Sequence, residues 1–196
     1  DRTNQLISSA EKLVQMTVIS GIETIDTPMI EKARQTAALI SKKFEEAIST
    51  QAISETDLFD FNYHPIPGSN PEQVMAKFTA LMDKILPDIQ EPVLSFDKRI
   101  IFCATVDQNG YLPTHNLKFS KPQRPSDPEW NMANCRNRRI FDDRVGLNAG
   151  RSKAPFLLQA YRRDMGGGVF ALMKDISASI YVKGRHWGGV RIGYTS

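Results

Sequence analysis

The sequence predicts an α+β fold in which N-terminal helices precede a five-stranded antiparallel sheet that carries a helical insert. Three observations support this class. Apolar residues in the first half recur at three- and four-residue spacing, which is typical of helices. After Arg99 the chain changes to short runs of strand-forming residues joined by turns. Residues 121–150 sustain neither pattern, which indicates loops and short helices lying across the sheet.

Three helices are expected in the first half. The first covers residues 1–20, where an apolar stripe recurs with helical period. The second begins near Asp26, because Pro28 fits the first helical turn, where its missing N–H is not needed. The third is predicted over residues 70–85 and ends before Pro87, which cannot continue a helix.

The strands follow in the second half. In chain order they are residues 100–106, 111–116, 156–162 and 169–174, and a closing pair of runs, 179–183 and 187–194, linked at Gly184. Short turns between neighbouring runs indicate an antiparallel sheet. We therefore divide the chain into a helical N-terminal region, residues 1–97, and a sheet domain, residues 98–196.

Composition excludes several classes of protein. The 196 residues carry a formal net charge of only +3, and apart from the arginines near Cys135 the basic residues are dispersed, which argues against a nucleic-acid partner. The sequence has no apolar run near the ~20 residues that span a bilayer. It also lacks the G-x-S-x-G elbow of a hydrolase, and Cys103 lies inside an apolar strand where a thiol is inert. We expect no enzyme activity.

The two cysteines leave two readings open. Cys103 and Cys135 show no CxxC spacing, so two reduced, buried thiols are the simpler expectation. In an oxidising compartment the same residues are able to form one disulfide.

Four long motifs point to a known family. They are VDQNGYLPTHN at 106–116, NCRNRRIFDD at 134–143, YRRDMGGG at 161–168 and GRHWGG at 184–189. In this order they resemble the sensory domain of a family of bacterial methyl-accepting chemotaxis proteins. The order of helix, strands, helical insert and strands is similar to the PAS/Cache arrangement.

The resemblance implies a non-catalytic module that binds a small molecule and reports its occupancy. It further implies a signalling domain in the same full-length chain, a homodimer, and a position on the cytoplasmic side of the receptor, with a periplasmic position as the alternative. It identifies no ligand, and we expect no cofactor.

A pocket is expected where the insert covers the concave side of the sheet. Alternation along residues 156–163 places Tyr161 and Arg163 on the more polar face, which we expect to meet the insert. The insert adds Arg136, Arg138 and Arg139, whose forked donors match a carboxylate. The predicted ligand-binding residues are Arg138, Arg139, Tyr161 and Arg163, with His115 and Trp187 as further walls.

Structural roles compete with each of these assignments. The arginines of the insert have Asp142, Asp143 and Asp164 as possible internal ion-pair partners. Trp187 has the character of a core anchor at a strand end. The glycines at 166–168 lack the spacing of a phosphate-binding loop and are better explained as a hairpin turn.

Two other classes of function remain open. His115, Cys135 and His186 are the candidate ligands of a haem or metal ion in a redox or gas sensor, although none shows the spacing of a metal motif. The chain is alternatively a structural dimerisation domain, in which the stripe of Leu6, Ala10 and Leu13 pairs with a second copy.

Overall fold

The fold is described from a computed structural model, which covers residues 2–164 and 170–195. The helices are α1 (Arg2–Ile19), α2 (Thr27–Ser49), α3 (Glu55–Leu58), α4 (Thr79–Ile85), α5 (Pro87–Gln90), α6 (Pro128–Asn134) and α7 (Arg144–Arg151). The strands are β1 (His64–Pro65), β2 (Val74–Met75), β3 (Ile100–Asp107), β4 (Tyr111–Leu112), β5 (Arg139–Ile140), β6 (Leu157–Asp164), β7 (Phe170–Val182) and β8 (Arg185–Thr195). Short 3₁₀ turns at Pro92–Ser95 and Leu117–Phe119 complete the described elements.

The predicted α+β class is confirmed, with helices packed against an antiparallel sheet. The central sheet has four strands in the order β3-β8-β7-β6, rather than the expected five. The segment predicted as the second strand forms only β4, which pairs with β5 of the insert. It leaves the central sheet because Pro113 has no N–H to donate to a ladder and because the Asp107 carboxylate accepts the Tyr111 N–H.

The runs predicted at 169–174 and 179–183 belong to one strand, β7. The residues between them continue the strand, and Asp175 and Ser177 pair in register with β6 and β8. A charge is accommodated there because Arg191 of β8 neutralises Asp175 inside the sheet domain. The expected glycine turn at 166–168 lies outside the described residues.

Helix α2 covers one face of the sheet and builds the main core. Pro28 occupies its first turn as expected, and its apolar stripe is buried against β7 and β8. The largest buried side chains around it are Met29, Ile40, Phe44, Phe78, Trp187 and Tyr194. At the N-terminal end of α2 the buried Asp26 accepts hydrogen bonds from Lys174 Nζ and the Tyr194 hydroxyl, which fixes α2 to the sheet.

The third predicted helix is shorter than expected and begins at Thr79. Residues 70–75 bond to the insert instead: the Val74 N–H donates to the Arg138 carbonyl, and the Gln73 side chain donates to the Asn137 carbonyl. These tertiary hydrogen bonds satisfy backbone groups that a helix would otherwise have used.

The insert covers the opposite face of the sheet, as predicted. Its helix α7 approaches β8 closely, because Gly189 has no Cβ, and a Cβ there would collide with the Ala149 carbonyl oxygen. Gly150 makes the same kind of approach to the Asp107 carbonyl. These contacts set how near the insert lies to the sheet.

The main core crosses residue 97, since it joins side chains of α2 to those of β7 and β8. The division into regions 1–97 and 98–196 stays a prediction. Across the described ranges, none of the helices combines the length and the apolar character that crossing a bilayer requires.

Candidate ligand-binding site

A cavity of about 430 Å³ lies between the sheet and the insert. The sheet contributes Phe102, Tyr161 and Arg191 to its lining. The insert and the segment leading to it contribute Leu112, His115, Phe119, Glu129, Met132, Ala133, Arg136, Phe141, Asp143 and Val145. A volume of this size is in the usual range for a small-molecule site, ~300–1,000 Å³.

Arg191 forms the polar floor of this cavity. Its Nε and Nη2 atoms both donate to Asp175 Oδ2, at 3.1 and 2.8 Å. The Arg191 side chain is only 8% exposed and that of Asp175 is 0% exposed, so little water reaches the pair. Burial opposes the charge of Arg191, but the Asp175 carboxylate outweighs it and raises the pKa of the guanidinium. Arg191 therefore remains charged.

The Asp175–Arg191 pair leaves donors for a ligand. A guanidinium has five N–H groups, and Asp175 accepts from two nitrogens through a single oxygen. The plane of the guanidinium is thereby fixed while the group lines the cavity. Asp175 Oδ1 is buried and has no hydrogen-bond partner among the described residues.

Aromatic rings and charges of both signs form the walls. The Arg136 guanidinium lies 5.1 Å from the centre of the Phe141 ring, and that of Arg191 lies 5.6 Å from the centre of the Phe102 ring. Asp143 Oδ1 accepts the N–H groups of Val145 and Gly146 at the start of α7, so its carboxylate is held at the cavity edge. The lining thus holds two guanidinium groups and two carboxylates, including the exposed Glu129.

His115 is a buried wall residue. Its ring packs edge-on against Phe102 and Phe119, with centroid distances of 5.6 and 4.9 Å. Nδ1 accepts the N–H of Asn116 at 2.7 Å.

Two of the predicted ligand-binding residues, His115 and Tyr161, line the cavity. Arg139 lies beside it, where its guanidinium is 5.1 Å from the Phe141 ring centre and donates to the Met132 carbonyl. The Arg163 side chain lies outside the described part of the structure, although its backbone belongs to β6. None of these placements tests ligand binding itself.

The other two predicted residues lie away from the cavity. Arg138 donates from Nη2 to Asp83 Oδ2 of α4 at 2.9 Å, so its ion-pair partner is a residue the sequence patterns did not indicate. Trp187 is fully buried in the core on the α2 face, where its indole donates to the Leu58 carbonyl at 2.9 Å. Its ring packs against Phe44 with 5.1 Å between centroids.

The alternative metal ligands do not come together. Among residues 2–164 and 170–195, no three His, Cys, Asp or Glu side chains are arranged to hold a metal ion. His186 lies near the β7–β8 turn beside Tyr181, whereas His115 and Cys135 belong to the cavity side of the insert. Cys103 and Cys135 are both buried and unpaired, and burial raises the pKa of each thiol.

Arg191 and Asp175 are the site residues that sequence reasoning missed. The signal for Arg191 was a cation between two apolar residues of one strand, Val190 and Ile192. Alternation places such a residue on the face opposite the core. Its partner Asp175 lies just beyond the predicted run 169–174, inside the longer strand β7.

Comparison with known proteins finds only distant likeness. No protein-family model matches the chain, and neither does any curated protein. An extracellular ligand binding receptor from Desulfohalobium retbaense DSM5692 is similar at 13% identity and a TM-score of 0.32, over 89% of this chain and 26% of that one. A domain of a sensory box/GGDEF family protein from Vibrio parahaemolyticus is similar at 12% identity and a TM-score of 0.34, over 84% and 60% of the two chains. The chain thus spans less than two thirds of each of these two structures.

Proposed function

We propose that this chain is the ligand-sensing domain of a bacterial chemoreceptor and that it binds a small carboxylate-bearing molecule without catalysis. One observation carries the proposal: Arg191, nine-tenths buried, presents donors to a cavity of about 430 Å³. A guanidinium in a nearly dry site binds a carboxylate more strongly than an exposed one does, because water competes less.

The charges of the lining narrow the class of ligand. Two guanidinium groups face two carboxylates, and Asp175 lies behind Arg191. A polyanion such as a phosphate ester or a tricarboxylate would meet Asp143 and Glu129 as well as the arginines. We therefore propose a molecule with a single carboxylate, whose apolar part packs between the aromatic rings of Phe102, Phe119 and Phe141.

The chemistry of the lining favours binding over reaction. Among the carboxylates of the lining, Asp143 accepts two backbone N–H groups of α7, which stabilise its charge and make it a weaker nucleophile. His115 uses Nδ1 to accept a backbone N–H, which limits it as a general base.

The receptor context belongs to the same proposal. We propose that occupancy is reported to a signalling domain of the full-length chain, within a homodimer, on the cytoplasmic side. Reporter fusions to the full-length receptor test the compartment, with periplasmic exposure as the opposing result. Light scattering of the purified domain tests the dimer, and a monomer at all concentrations would contradict it.

Ligand binding is tested by a thermal-shift screen of monocarboxylates against dicarboxylates, tricarboxylates and inorganic phosphate. We expect a monocarboxylate to raise the melting temperature and bind saturably by calorimetry. Arg191→Lys keeps the charge but loses the fork, and we expect it to weaken binding about tenfold or more. Arg34→Gln, an exposed arginine of α2, is the matched control and should bind normally.

The variant Arg191→Met combined with Asp175→Leu removes the buried pair without leaving a lone charge. If this double variant is folded and still binds the monocarboxylate at the original affinity, the proposed site is wrong. Stabilisation by haem or a transition metal, and by none of the acids, would favour the alternative redox or gas sensor.

A further inference from the structure

Strand β6 forms an open edge of the central sheet, and α1 covers that edge with polar side chains. Gln15 donates to the Phe156 carbonyl at 2.9 Å, and its oxygen accepts the Leu158 N–H at 3.4 Å. Glu11 Oε1 accepts the Ala160 N–H at 2.6 Å. An edge strand presents unpaired N–H and C=O groups, and here a helix takes the place of the missing neighbour strand.

Glu11 also connects α1 to the insert. Its Oε2 lies 3.4 Å from Arg144 Nη1, and Arg144 Nη2 donates to the Ala160 carbonyl at 2.9 Å. One backbone unit of β6, one residue of α1 and one residue of α7 therefore form a closed ring of contacts. The Glu11 side chain is 13% exposed and that of Arg144 is 48% exposed, so water screens the ion pair from the Arg144 side.

This ring of contacts lies one residue away from the cavity on two sides. Ala160 precedes Tyr161, and Arg144 stands between Asp143 and Val145; all three of those neighbours line the cavity. A change in the spacing of Tyr161 and the start of α7 moves the Ala160 backbone relative to Arg144. Glu11 is bonded to both groups, so it is sensitive to that spacing.

Helix α1 has few other attachments. Val14 and Val18 are partly buried against the core, whereas Leu6, Leu13 and Met16 on the outer side are 71%, 66% and 65% exposed. Because apolar burial is limited, the polar contacts of Glu11 and Gln15 contribute a large share of what holds α1 in place.

We propose that Glu11 is a positioning residue that couples the docking of α1 on β6 to the occupancy of the cavity. This proposal rests on the proposed function, because that function supplies the ligand that fills the cavity. The experiment that tests it uses a side chain in place of the ligand. A molecule that fills the cavity holds Tyr161 and α7 at their present spacing, and by linkage it stabilises the docked α1.

The test measures amide hydrogen exchange of α1 and β6, with the cavity filled by a side chain instead of a ligand. Ala133→Phe adds a ring from α6, on the insert side of the cavity. In the wild-type background we expect Ala133→Phe to slow exchange in α1 about threefold. In Glu11→Gln we expect α1 to exchange about tenfold faster, the effect of losing one charge-assisted hydrogen bond, and Ala133→Phe to have no further effect.

Two variants serve as controls. Lys12→Gln changes an exposed neighbour on the same helix and should leave the response to Ala133→Phe intact. Glu11→Asp keeps the carboxylate, and we expect it to restore part of the response that Glu11→Gln removes.

A second variant fills the cavity from another position. Leu112→Phe places a ring at a cavity-lining residue that is only 2% exposed.

The outcomes separate this proposal from the previous one. The coupling is overturned if neither Ala133→Phe nor Leu112→Phe changes the exchange of α1. It is also overturned if these variants slow exchange in the Glu11→Gln background as much as in the wild type. Both conclusions hold even when a monocarboxylate binds. If no acid binds but filling slows α1 exchange only when Glu11 is present, the coupling stands and the ligand class is wrong.

Discussion

The two faces of the central sheet bury different kinds of side chain. On the α2 face, apolar and aromatic side chains close around Trp187, and the buried Asp26 is satisfied by Lys174 and Tyr194. On the insert face, Asp175 and Ser177 each keep a buried polar atom without a partner in the described structure. The cavity on this face is lined by Arg191, the partner of Asp175.

The difference indicates that the α2 face contributes more to stability than the insert face does. A well-packed apolar core contributes stability in proportion to the area it removes from water. Buried polar atoms without partners cost stability and are rare in native proteins. Of the four such atoms in the described residues, Asp175 Oδ1 and Ser177 Oγ lie on β7, and Asp175 is bonded to the cavity-lining Arg191.

The largest effect is expected on the α2 face. Trp187→Ala removes a fully buried ring that contacts Phe44 and Phe78 and donates to the Leu58 carbonyl. We expect a loss of about 5 kcal/mol in the free energy of unfolding, the upper end for such truncations. Urea unfolding measures it, and Leu172→Ala, at a residue 53% exposed, is the control with little change. A loss below that of an ordinary surface variant would show that this face is not the stabilising core.

On the insert face, the free energy of unfolding should depend on whether the charges of Asp175 and Arg191 are paired, and less on the volume of their side chains. Asp175→Leu leaves the Arg191 charge buried alone, so we expect a loss of about 3–4 kcal/mol. Adding Arg191→Met removes that charge and should return the free energy of unfolding to within about 1 kcal/mol of the wild type. Equal losses in the single and double variants would mean that packing, and not the charge pair, decides this face.

A smaller effect is expected at Asp107, the last residue of β3. Burial raises the pKa of its carboxyl to about 6, although Tyr63 and two backbone N–H groups donate to it. Because the folded pKa lies above the unfolded value of about 4, the folded state binds the proton more tightly. The associated stability is present below pH 4 and is lost as the pH rises through 6.

We expect this loss to be about 2–3 kcal/mol between pH 4 and pH 7. Asp107→Asn has no titrating group at this position, so its unfolding free energy should vary less over the same range. Denaturant unfolding at a series of pH values compares the two proteins. If they follow parallel curves, Asp107 does not titrate with a raised pKa.

The sequence predicted elements better where local signals were strong. The second helix was identified from Pro28 and a regular apolar stripe, and both features appear in α2. The helix predicted at residues 70–85 failed in its first half, because Val74 and Gln73 bond to the insert across a long sequence separation. Local propensity carries no information about such partners.

The candidate site was predicted in outline and not in its chemistry. The face of β6 that carries Tyr161 does border the cavity under the insert. Arg138, chosen for its place in a cluster of arginines, instead pairs with Asp83. The floor residue Arg191 was overlooked because its partner Asp175 lies on a neighbouring strand, 16 residues away in sequence.

The class of fold and the order of its layers follow from the amino-acid pattern, because the spacing of apolar residues specifies which side of each helix or strand must avoid water. Which charges form pairs is visible only once the elements are packed together. Ion pairs and cavities depend on distances between elements that are remote in the chain, and no local pattern encodes those distances.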